Sequence, residues 1–390
     1  MSAPAASLPD GFVPPPYPHD RLGALRRLAD AMPGGVVDCS VGSPIDPMPD
    51  VALDALLAAA PLATGYPASL GSDGFRDAAA GWVTRRFGVP LDADAVIACV
   101  GTKEMVASLP HFLRLRDPSR DTVLYPAVSY PTYAMGAQLA GCRAVPVPLD
   151  DRWHLDLSRV AEDDANRALV LWCNEPSNPT GAVASAAELA AVVEWARAHG
   201  IVVASDECYA EFVYDEQGAP AAPPTALAAG AAGVLAVHSL SKRSNMAGLR
   251  AGFVAGDPDL VGYLGETRKH AGCMVPAPIQ AAAAAALRDD AHVDAQQARY
   301  AARRSSVLPV LAEHGLVHDG GPATFYLWLR AAEGADDGWE LAARLAEAGT
   351  LVAPGDLYGP AGADHVRLAL TQPDDRLALA MQRLVDSSAR

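Results

Sequence analysis

Short apolar runs alternate with segments of helical length through the middle of the chain. The runs lie at residues 95–100, 122–125, 144–147, 168–173, 201–205, 233–237 and 252–255. Consecutive positions within each run are apolar, which is typical of strands buried on both faces. The segments between several runs are amphipathic or Ala-rich, as at residues 186–199. These seven runs predict a mostly parallel seven-stranded sheet with helices on both faces.

The pattern changes after about residue 290. A long charged segment at residues 293–313 predicts a helix, and the alternating segments 323–330 and 365–370 predict strands. Further helices are predicted around residues 340–348 and 374–386. We therefore predict an α/β fold in three parts. They are a Pro-rich arm with part of the small domain at 1–50, a large α/β domain at 51–290, and a small α+β domain at 291–390.

Composition and charge narrow the function classes. The 390 residues carry 30 Lys and Arg against 46 Asp and Glu, a net charge of −16, which argues against a nucleic-acid partner. The six cysteines are scattered without a C-x-x-C pair, so neither a metal site nor a disulfide framework is predicted. The N-terminus lacks the pattern of a secretory signal, and no run approaches the length of a membrane span. We therefore expect a cytoplasmic protein without a membrane partner.

Polar residues with distinct chemistry follow four of the apolar runs. Ligands of an open α/β sheet bind beyond the carboxyl ends of its strands. The residues at these ends are Gly101, Thr102 and Lys103 after the first run, Asn178 after the fourth, Asp206 and Tyr209 after the fifth, and Ser239, Ser241, Lys242 and Arg250 after the sixth. Each motif alone is most often an ordinary turn or helix cap. Their succession at strand ends indicates a shared site.

The residue types at this site fit one cofactor. Gly101 and Thr102 at a helix start form an anion site, and Arg250 adds a bidentate donor suited to phosphate. Lys242, one of only three lysines, is a Schiff-base candidate. An aspartate at a neighbouring strand end can pair with a protonated ring nitrogen, while Tyr209 and Asn178 can hydrogen-bond a phenolate oxygen. Phosphate, aldehyde, pyridinium and phenolate together predict pyridoxal 5′-phosphate.

Three motifs together resemble the fold-type-I (class I/II) pyridoxal-phosphate aminotransferases. They are Asn178-Pro179-Thr180-Gly181, Asp206-x-x-Tyr209, and Ser239-x-Ser241-Lys242 followed by Gly248-x-Arg250. The resemblance extends over nearly the whole chain and implies that family's fold, a large sheet domain plus a smaller α+β domain. It also implies ping-pong transamination through a Lys242 Schiff base, with 2-oxoglutarate and glutamate as one substrate pair.

The resemblance implies roles for individual residues. Lys242 would be catalytic and move the proton at the substrate Cα, Asp206 would hold the ring nitrogen protonated, and Asn178 and Tyr209 would contact the ring oxygen. The residues expected around the phosphate are Gly101, Thr102, Lys103, Ser239, Ser241 and Arg250. Tyr130 would stack on the ring.

Further implied roles concern the partner subunit and the substrate. Tyr66 would reach the phosphate of the partner subunit, so a homodimer is expected. Arg367, in the string His365-Val366-Arg367-Leu368, would clamp the substrate α-carboxylate. Gly42 would let the backbone approach the same carboxylate, and Asn178 would also face the substrate.

A closer resemblance concerns the substrate. The segments 66–72, 239–252, 268–276 and 352–362 are similar to the actinobacterial type of N-succinyldiaminopimelate aminotransferase, which serves diaminopimelate and lysine biosynthesis. Such a donor carries several carboxylates, so local cations must offset the negative protein. Arg243, Arg268 and Lys269 are the candidates for the distal carboxylates. Arg243 also departs from the wider family, where an aromatic residue often follows the catalytic lysine.

Alternative functions remain open at this point. They are an aminotransferase for aspartate, alanine or aromatic donors, a β-C–S lyase on the same scaffold, and a cofactor-sensing regulator. The regulator would carry a basic winged-helix domain ahead of the aminotransferase-like part, whereas this chain has only the Pro-rich arm there.

Overall fold

The computed structural model describes residues 11–215, 217–332 and 337–388. The first ten residues of the Pro-rich arm therefore lie outside the described part of the chain. The rest of the arm runs without regular structure to a short 3-10 helix, Pro18–Leu22.

Helices account for much of the described chain. In chain order they are α1 (Gly23–Asp30), α2 (Asp50–Ala58), α3 (Asp73–Phe87), α4 (Thr102–Arg116), α5 (Thr132–Leu139), α6 (Glu162–Arg167), α7 (Ala186–Ala198), α8 (Leu240–Arg243), α9 (Pro258–His270), α10 (Ala277–Arg288), α11 (Ala291–Glu313), α12 (Gly338–Glu347) and α13 (Asp374–Ser388). Within this set, no helix combines the length and apolarity needed to cross a membrane.

The strands form separate sheets. In chain order they are β1 (Val37–Asp38), β2 (Val96–Cys99), β3 (Thr122–Pro126), β4 (Arg143–Val147), β5 (Ala168–Asn174), β6 (Val202–Asp206), β7 (Val234–Ser239), β8 (Gly252–Gly256), β9 (Leu316–His318), β10 (Tyr326–Ala331), β11 (Thr350–Leu351), β12 (Ala353–Pro354) and β13 (Val366–Ala369). Each of the seven apolar runs identified in the sequence overlaps one strand of the large sheet, with boundaries that agree to within two residues.

The large sheet has seven strands in the order β2-β8-β7-β6-β5-β3-β4. Strand β8 runs antiparallel to β2 and β7, and the remaining neighbours are parallel. Apolar side chains cover both faces: Trp82 and Phe253 belong to one buried cluster, and Met105 and Trp172 to the other. The predicted α/β class with a mostly parallel central sheet is confirmed.

The C-terminal part contains a second, antiparallel sheet. Its strand order is β12-β13-β10-β9, and its core includes Phe325, Trp328 and Leu368. Strand β1, close to the arm, pairs in parallel with β11. This pairing brings residues near the N-terminus beside the C-terminal strands, where Arg367 lies on β13.

Candidate active site

The carboxyl ends of three neighbouring strands meet at one edge of the large sheet. Asn174 ends β5, Asp206 ends β6 and Ser239 ends β7, and the register pairs Asn174 with Asp206. Because β5, β6 and β7 are parallel, their polar last residues face the same cavity. The cavity has a volume of about 370 Å³ and is lined by Tyr17, His19, Gly42, Thr102, Lys103, Tyr130, Tyr133, Asn178, Asp206, Tyr209, Ser239, Ser241, Lys242, Arg250, Tyr326 and Arg367, among others.

Lys242 lies on the single turn α8, directly after β7. Its Nζ donates to the carbonyl oxygen of Gly42. Burial lowers the pKa of Lys242, which favours the neutral amine needed for nucleophilic attack. A Cβ at Gly42 would lie 1.8 Å from the Tyr326 hydroxyl, so only glycine lets the backbone pass this close to Tyr326.

Asp206 is buried and carries two hydrogen bonds. The Tyr133 hydroxyl donates to its Oδ2 at 2.8 Å, and the Cys208 backbone N–H donates to its Oδ1 at 3.2 Å. Burial raises the pKa of Asp206, while these two donors act in the opposite direction. A buried carboxylate of this kind is a suitable partner for a cationic ring nitrogen.

Backbone geometry forms an anion cradle beside α4. Gly101 precedes the helix with a φ of 69°, and a Cβ there would lie 2.2 Å from Nη2 of Arg250. Arg250 itself has a φ of 57°, a left-handed conformation that costs energy for a non-glycine residue. Ser239 and Thr102 line the same part of the cavity. A helix start, hydroxyls and a guanidinium suit a phosphate group.

Arg367 extends into the cavity from β13. Its Nη1 donates to Asn178 Oδ1 at 2.9 Å, and its Nη2 donates to the Ser40 carbonyl at 2.6 Å. The rings of Tyr326 and Tyr358 lie 4.1 and 4.9 Å from its guanidinium carbon. Its buried Nε has no hydrogen-bond partner within the described chain. This oriented guanidinium therefore has a donor available for a carboxylate.

The side chain of Lys103 lines the cavity. Its Nζ lies 4.9 Å from the ring centroid of Tyr17, a cation–π distance. Although burial acts to lower the pKa of Lys103, the hydroxyls of Tyr130 and Tyr17 raise it, so the side chain stays an ammonium. Lys103 also lies in the first turn of α4, at the helix start where a phosphate contact is expected.

Several residues that line the cavity are not among the predicted site residues. Tyr133 lies three residues after Tyr130, a spacing that could have suggested a shared position. Tyr17 and His19 belong to the Pro-rich arm, which carries no motif that predicts a role in the site. Tyr326 reaches the cavity from β10, and its hydroxyl lies 3.0 Å from that of Tyr209. No local motif marks Tyr326, because its place depends on packing between the two sheets.

The structure corrects the candidates for the distal carboxylates. Arg243 is buried, with Nη1 donating to the Ala286 carbonyl at 2.9 Å, and does not line the cavity. Arg268 is buried in a two-pronged ion pair with Glu104. Lys269 pairs with Glu266 on the surface of α9 and also lies outside the cavity lining. Each of these cations is held by its own neighbours, outside the lining of the cavity.

Tyr66 also lies away from this cavity. Its side chain is 97% exposed in the segment between α2 and α3. This exposure leaves the ring available to another molecule, as the expected role at the partner subunit requires.

Comparisons with known proteins place the chain in a family. The sequence profile of "Aminotransferase class I and II" matches residues 35–384. The chain belongs to this family. The family depends on pyridoxal 5′-phosphate, so the predicted family resemblance and the predicted cofactor are confirmed.

Curated aminotransferases cover nearly the whole chain. A probable aminotransferase of Mycobacterium tuberculosis is 46% identical over 95% of this chain and 85% of its own length. The 4-dedimethylamino-4-oxo-anhydrotetracycline transaminase of Streptomyces rimosus is 45% identical over 95% and 99%. An LL-diaminopimelate aminotransferase of Desulforudis audaxviator is 38% identical over 95% of both chains.

A solved structure supports the same assignment. A probable N-succinyldiaminopimelate aminotransferase from Thermus thermophilus superimposes with a TM-score of 0.83 and is 33% identical. The match covers 94% of this chain and 99% of that one.

The residues of this aminotransferase fit the cofactor. A Cβ at Gly101 would clash with the guanidinium of Arg250, so glycine at this position lets that phosphate-type donor lie against the start of α4. The half-buried amine of Lys242 and the buried carboxylate of Asp206 supply the two groups that the aldehyde and the ring nitrogen need.

Proposed function

We propose that this aminotransferase transfers the amino group of N-succinyl-LL-2,6-diaminopimelate to 2-oxoglutarate. The observation that carries the proposal is a pair of separate cations in one cavity, the Arg367 guanidinium and the Lys103 ammonium. Both substrates carry an α-carboxylate and at least one distal carboxylate, so they need two cationic contacts. The sequence resemblance and the Thermus thermophilus structure support the same donor.

Different residues of the chain would hold different parts of the cofactor. Gly101, Thr102, Ser239, Ser241 and Arg250 would hold the phosphate of the cofactor. Asp206, supported by Tyr133, would hold a proton on the ring nitrogen, and Tyr130 would pack against the ring. Asn178 and Tyr209 would hydrogen-bond the ring oxygen. The bound cofactor supplies an electron sink that weakens the Cα–H bond of the substrate.

The substrate would be oriented by cations and deprotonated by Lys242. Arg367 would bind the α-carboxylate through its unpartnered Nε. Lys103 would bind a distal carboxylate, which directs the carbon chain toward the arm residue Tyr17. Lys242 Nζ would take the Cα proton, because burial favours its neutral form.

The role of Lys242 is tested by Lys242→Ala. The variant should lose the cofactor linkage that borohydride reduction traps in the wild type, and kcat should fall by roughly a factor of 1,000 or more. Mass spectrometry of the reduced protein identifies the modified residue. Retained transamination, or label on Lys103 or Lys269, would contradict the assignment.

The role of Lys103 is tested by Lys103→Met, with Lys269→Met as the matched control outside the cavity. Losing a charge-assisted contact of about 2 kcal/mol should raise KM for the succinylated donor about thirtyfold, with little change for alanine. The control should leave both values unchanged. If Lys269→Met raises KM instead, the distal carboxylates bind where the sequence first suggested.

A donor panel tests the substrate itself. N-succinyldiaminopimelate, LL-diaminopimelate, N-acetyldiaminopimelate, aspartate and phenylalanine are compared with 2-oxoglutarate as the acceptor. The proposal requires the highest kcat/KM for the succinylated donor. A higher value for unsuccinylated LL-diaminopimelate or for phenylalanine would overturn it while leaving the family assignment intact.

A second candidate is amination of a polycyclic ketone. It is favoured by the 45% identity to the Streptomyces rimosus transaminase, which covers 99% of that protein. Such a ring system would need the aromatic wall formed by Tyr17, Tyr130 and Tyr326 rather than Lys103. Adding a 4-oxo-anhydrotetracycline as the acceptor in the panel separates the candidates, because Lys103→Met should not impair this reaction.

A homodimer is part of the same proposal. Tyr66 would complete the phosphate site of the partner subunit, and the cytoplasm is the compartment we propose. Exposed apolar side chains accompany Tyr66 along residues 41–66, including Leu57 and Leu62. A face of this kind is typical of a buried subunit interface.

A further inference from the structure

The helical turn that carries Lys242 is too short to hold its own position. Helix α8 has four residues, Leu240–Arg243, and its start is capped by the Ser239 side chain, which accepts from Ser241 N–H. A lone turn gains few hydrogen bonds for the backbone entropy it loses. Contacts from neighbouring elements must therefore fix the place of Lys242.

Arg243, the last residue of this turn, makes such contacts. Its Nη1 donates to the carbonyl of Ala286 on α10 at 2.9 Å. Its guanidinium carbon lies 5.3 Å from the ring centroid of Trp82 on α3. Its Nε lies 3.5 Å from Oε1 of Glu211. The side chain points away from the cavity and binds the turn to the layer behind it.

Glu211 connects Arg243 to the other half of the site. It lies two residues after Tyr209, in the segment that follows Asp206 at the end of β6. Its carboxylate also accepts from Trp82 Nε1 at 2.7 Å and from Arg86 Nε at 2.9 Å. With both partners almost fully buried, the ion pair has little room to rearrange.

We propose that Arg243 is a positioning residue that, together with Glu211, fixes Lys242 relative to Asp206 and Tyr209. The inference rests on the proposed role of Lys242 and extends it to a residue that touches neither substrate nor cofactor. Loss of a positioning contact lowers kcat, whereas loss of a substrate contact raises KM. A shift of about 1 Å at a reacting group can cost about a hundredfold in rate.

The test is Arg243→Met, which keeps the apolar stem and leaves Glu211 with Trp82 and Arg86. We expect kcat to fall about tenfold or more, with KM for the donor within about twofold of the wild type. In the cofactor-free protein, amides of residues 239–246 should exchange hydrogen faster. Arg243→Lys should give an intermediate kcat, because it keeps the charge but not the fork.

Arg383→Met is the matched control. Arg383 is also buried and donates to the carbonyls of Pro33 and Gly35, and it does not line the cavity. It should lower Tm without changing kcat or exchange in 239–246. If Arg243→Met does not fold, Glu211→Gln breaks the same ion pair and should give the same changes.

Two results would overturn the inference. One is unchanged kcat and unchanged exchange of residues 239–246 in the Arg243→Met or Glu211→Gln protein. The other is a raised KM at constant kcat, which would mark Arg243 as a substrate ligand. Borohydride labelling of the wild type separates the two proposals, because an unlabelled Lys242 contradicts the proposed function and a labelled one leaves it standing.

Discussion

Glu175 is a buried acid directly behind the strand-end motif that carries Asn178. Its Oε2 accepts from the Ala184 backbone N–H at 2.8 Å. Burial raises the pKa of Glu175 from 4.5 to about 8, and this single backbone donor only partly opposes the shift. The carboxyl is therefore held protonated near neutral pH, outside the lining of the cavity.

This shift predicts a pH dependence of stability. Between pH 4.5 and about 8, the unfolded chain loses the Glu175 proton while the folded chain keeps it, so stability falls as the pH rises. The loss approaches about 1.4 kcal/mol per pH unit within that window. Glu175→Gln should flatten this part of the profile and give a higher Tm than the wild type at alkaline pH. Thermal unfolding across pH measures both.

Glu194→Gln serves as the control, since Glu194 is an exposed acid on helix α7. It should leave the profile unchanged. A wild-type Tm that rises from pH 5 to pH 8, with Glu175→Gln having no effect on the slope, would show that the carboxyl ionises freely.

Helices and strands are the features of this protein that the sequence predicts best. Strands β5, β6 and β7 lie in the apolar runs that predicted them, because a strand buried on both faces leaves a continuous hydrophobic signature. The 3-10 helix in the arm was not predicted, because Pro-rich segments carry no periodic pattern. The position of α8 cannot be predicted from the local sequence either, since a single helical turn is held by contacts from distant elements.

Helix α7 offers a test of local stability. Ser185 accepts from Glu188 N–H, and the Glu188 side chain accepts from Ser185 N–H, a complete capping box. Ser185→Ala should destabilise the protein by about 1 kcal/mol, because one helix-end donor loses its partner. Chemical denaturation measures the change. Ser305→Ala, at an exposed position within α11, should shift stability by only a few tenths of a kcal/mol.

At the scale of the whole molecule, exposed apolar side chains concentrate in residues 41–66. Leu57 is 64% exposed and Leu62 is 57% exposed, and Tyr66 follows them. In a chain with a net charge of −16, such a face needs a partner that buries apolar surface. A second copy of the chain meets this need in the proposed homodimer.

The dimer is tested with Leu57→Glu combined with Leu62→Glu. We expect the mass in solution to fall from dimer to monomer, because carboxylates would be buried without partners. Cofactor should be released more readily as Tyr66 of the partner is lost. Leu139→Glu, an equally exposed leucine beside the edge strand β4, should keep the wild-type mass. A monomeric wild type with full activity would contradict the proposal.

The amino-acid sequence alone predicts the fold class, the cofactor and the candidate residues Lys242, Asp206 and Arg250. These follow from local signals, since a polar motif at the end of a buried strand has its position set by that strand. Which cations line the cavity depends on tertiary packing. This packing places Lys103 beside Tyr17 and turns Arg243 toward Glu211, because burial and pairing depend on residues far apart in sequence.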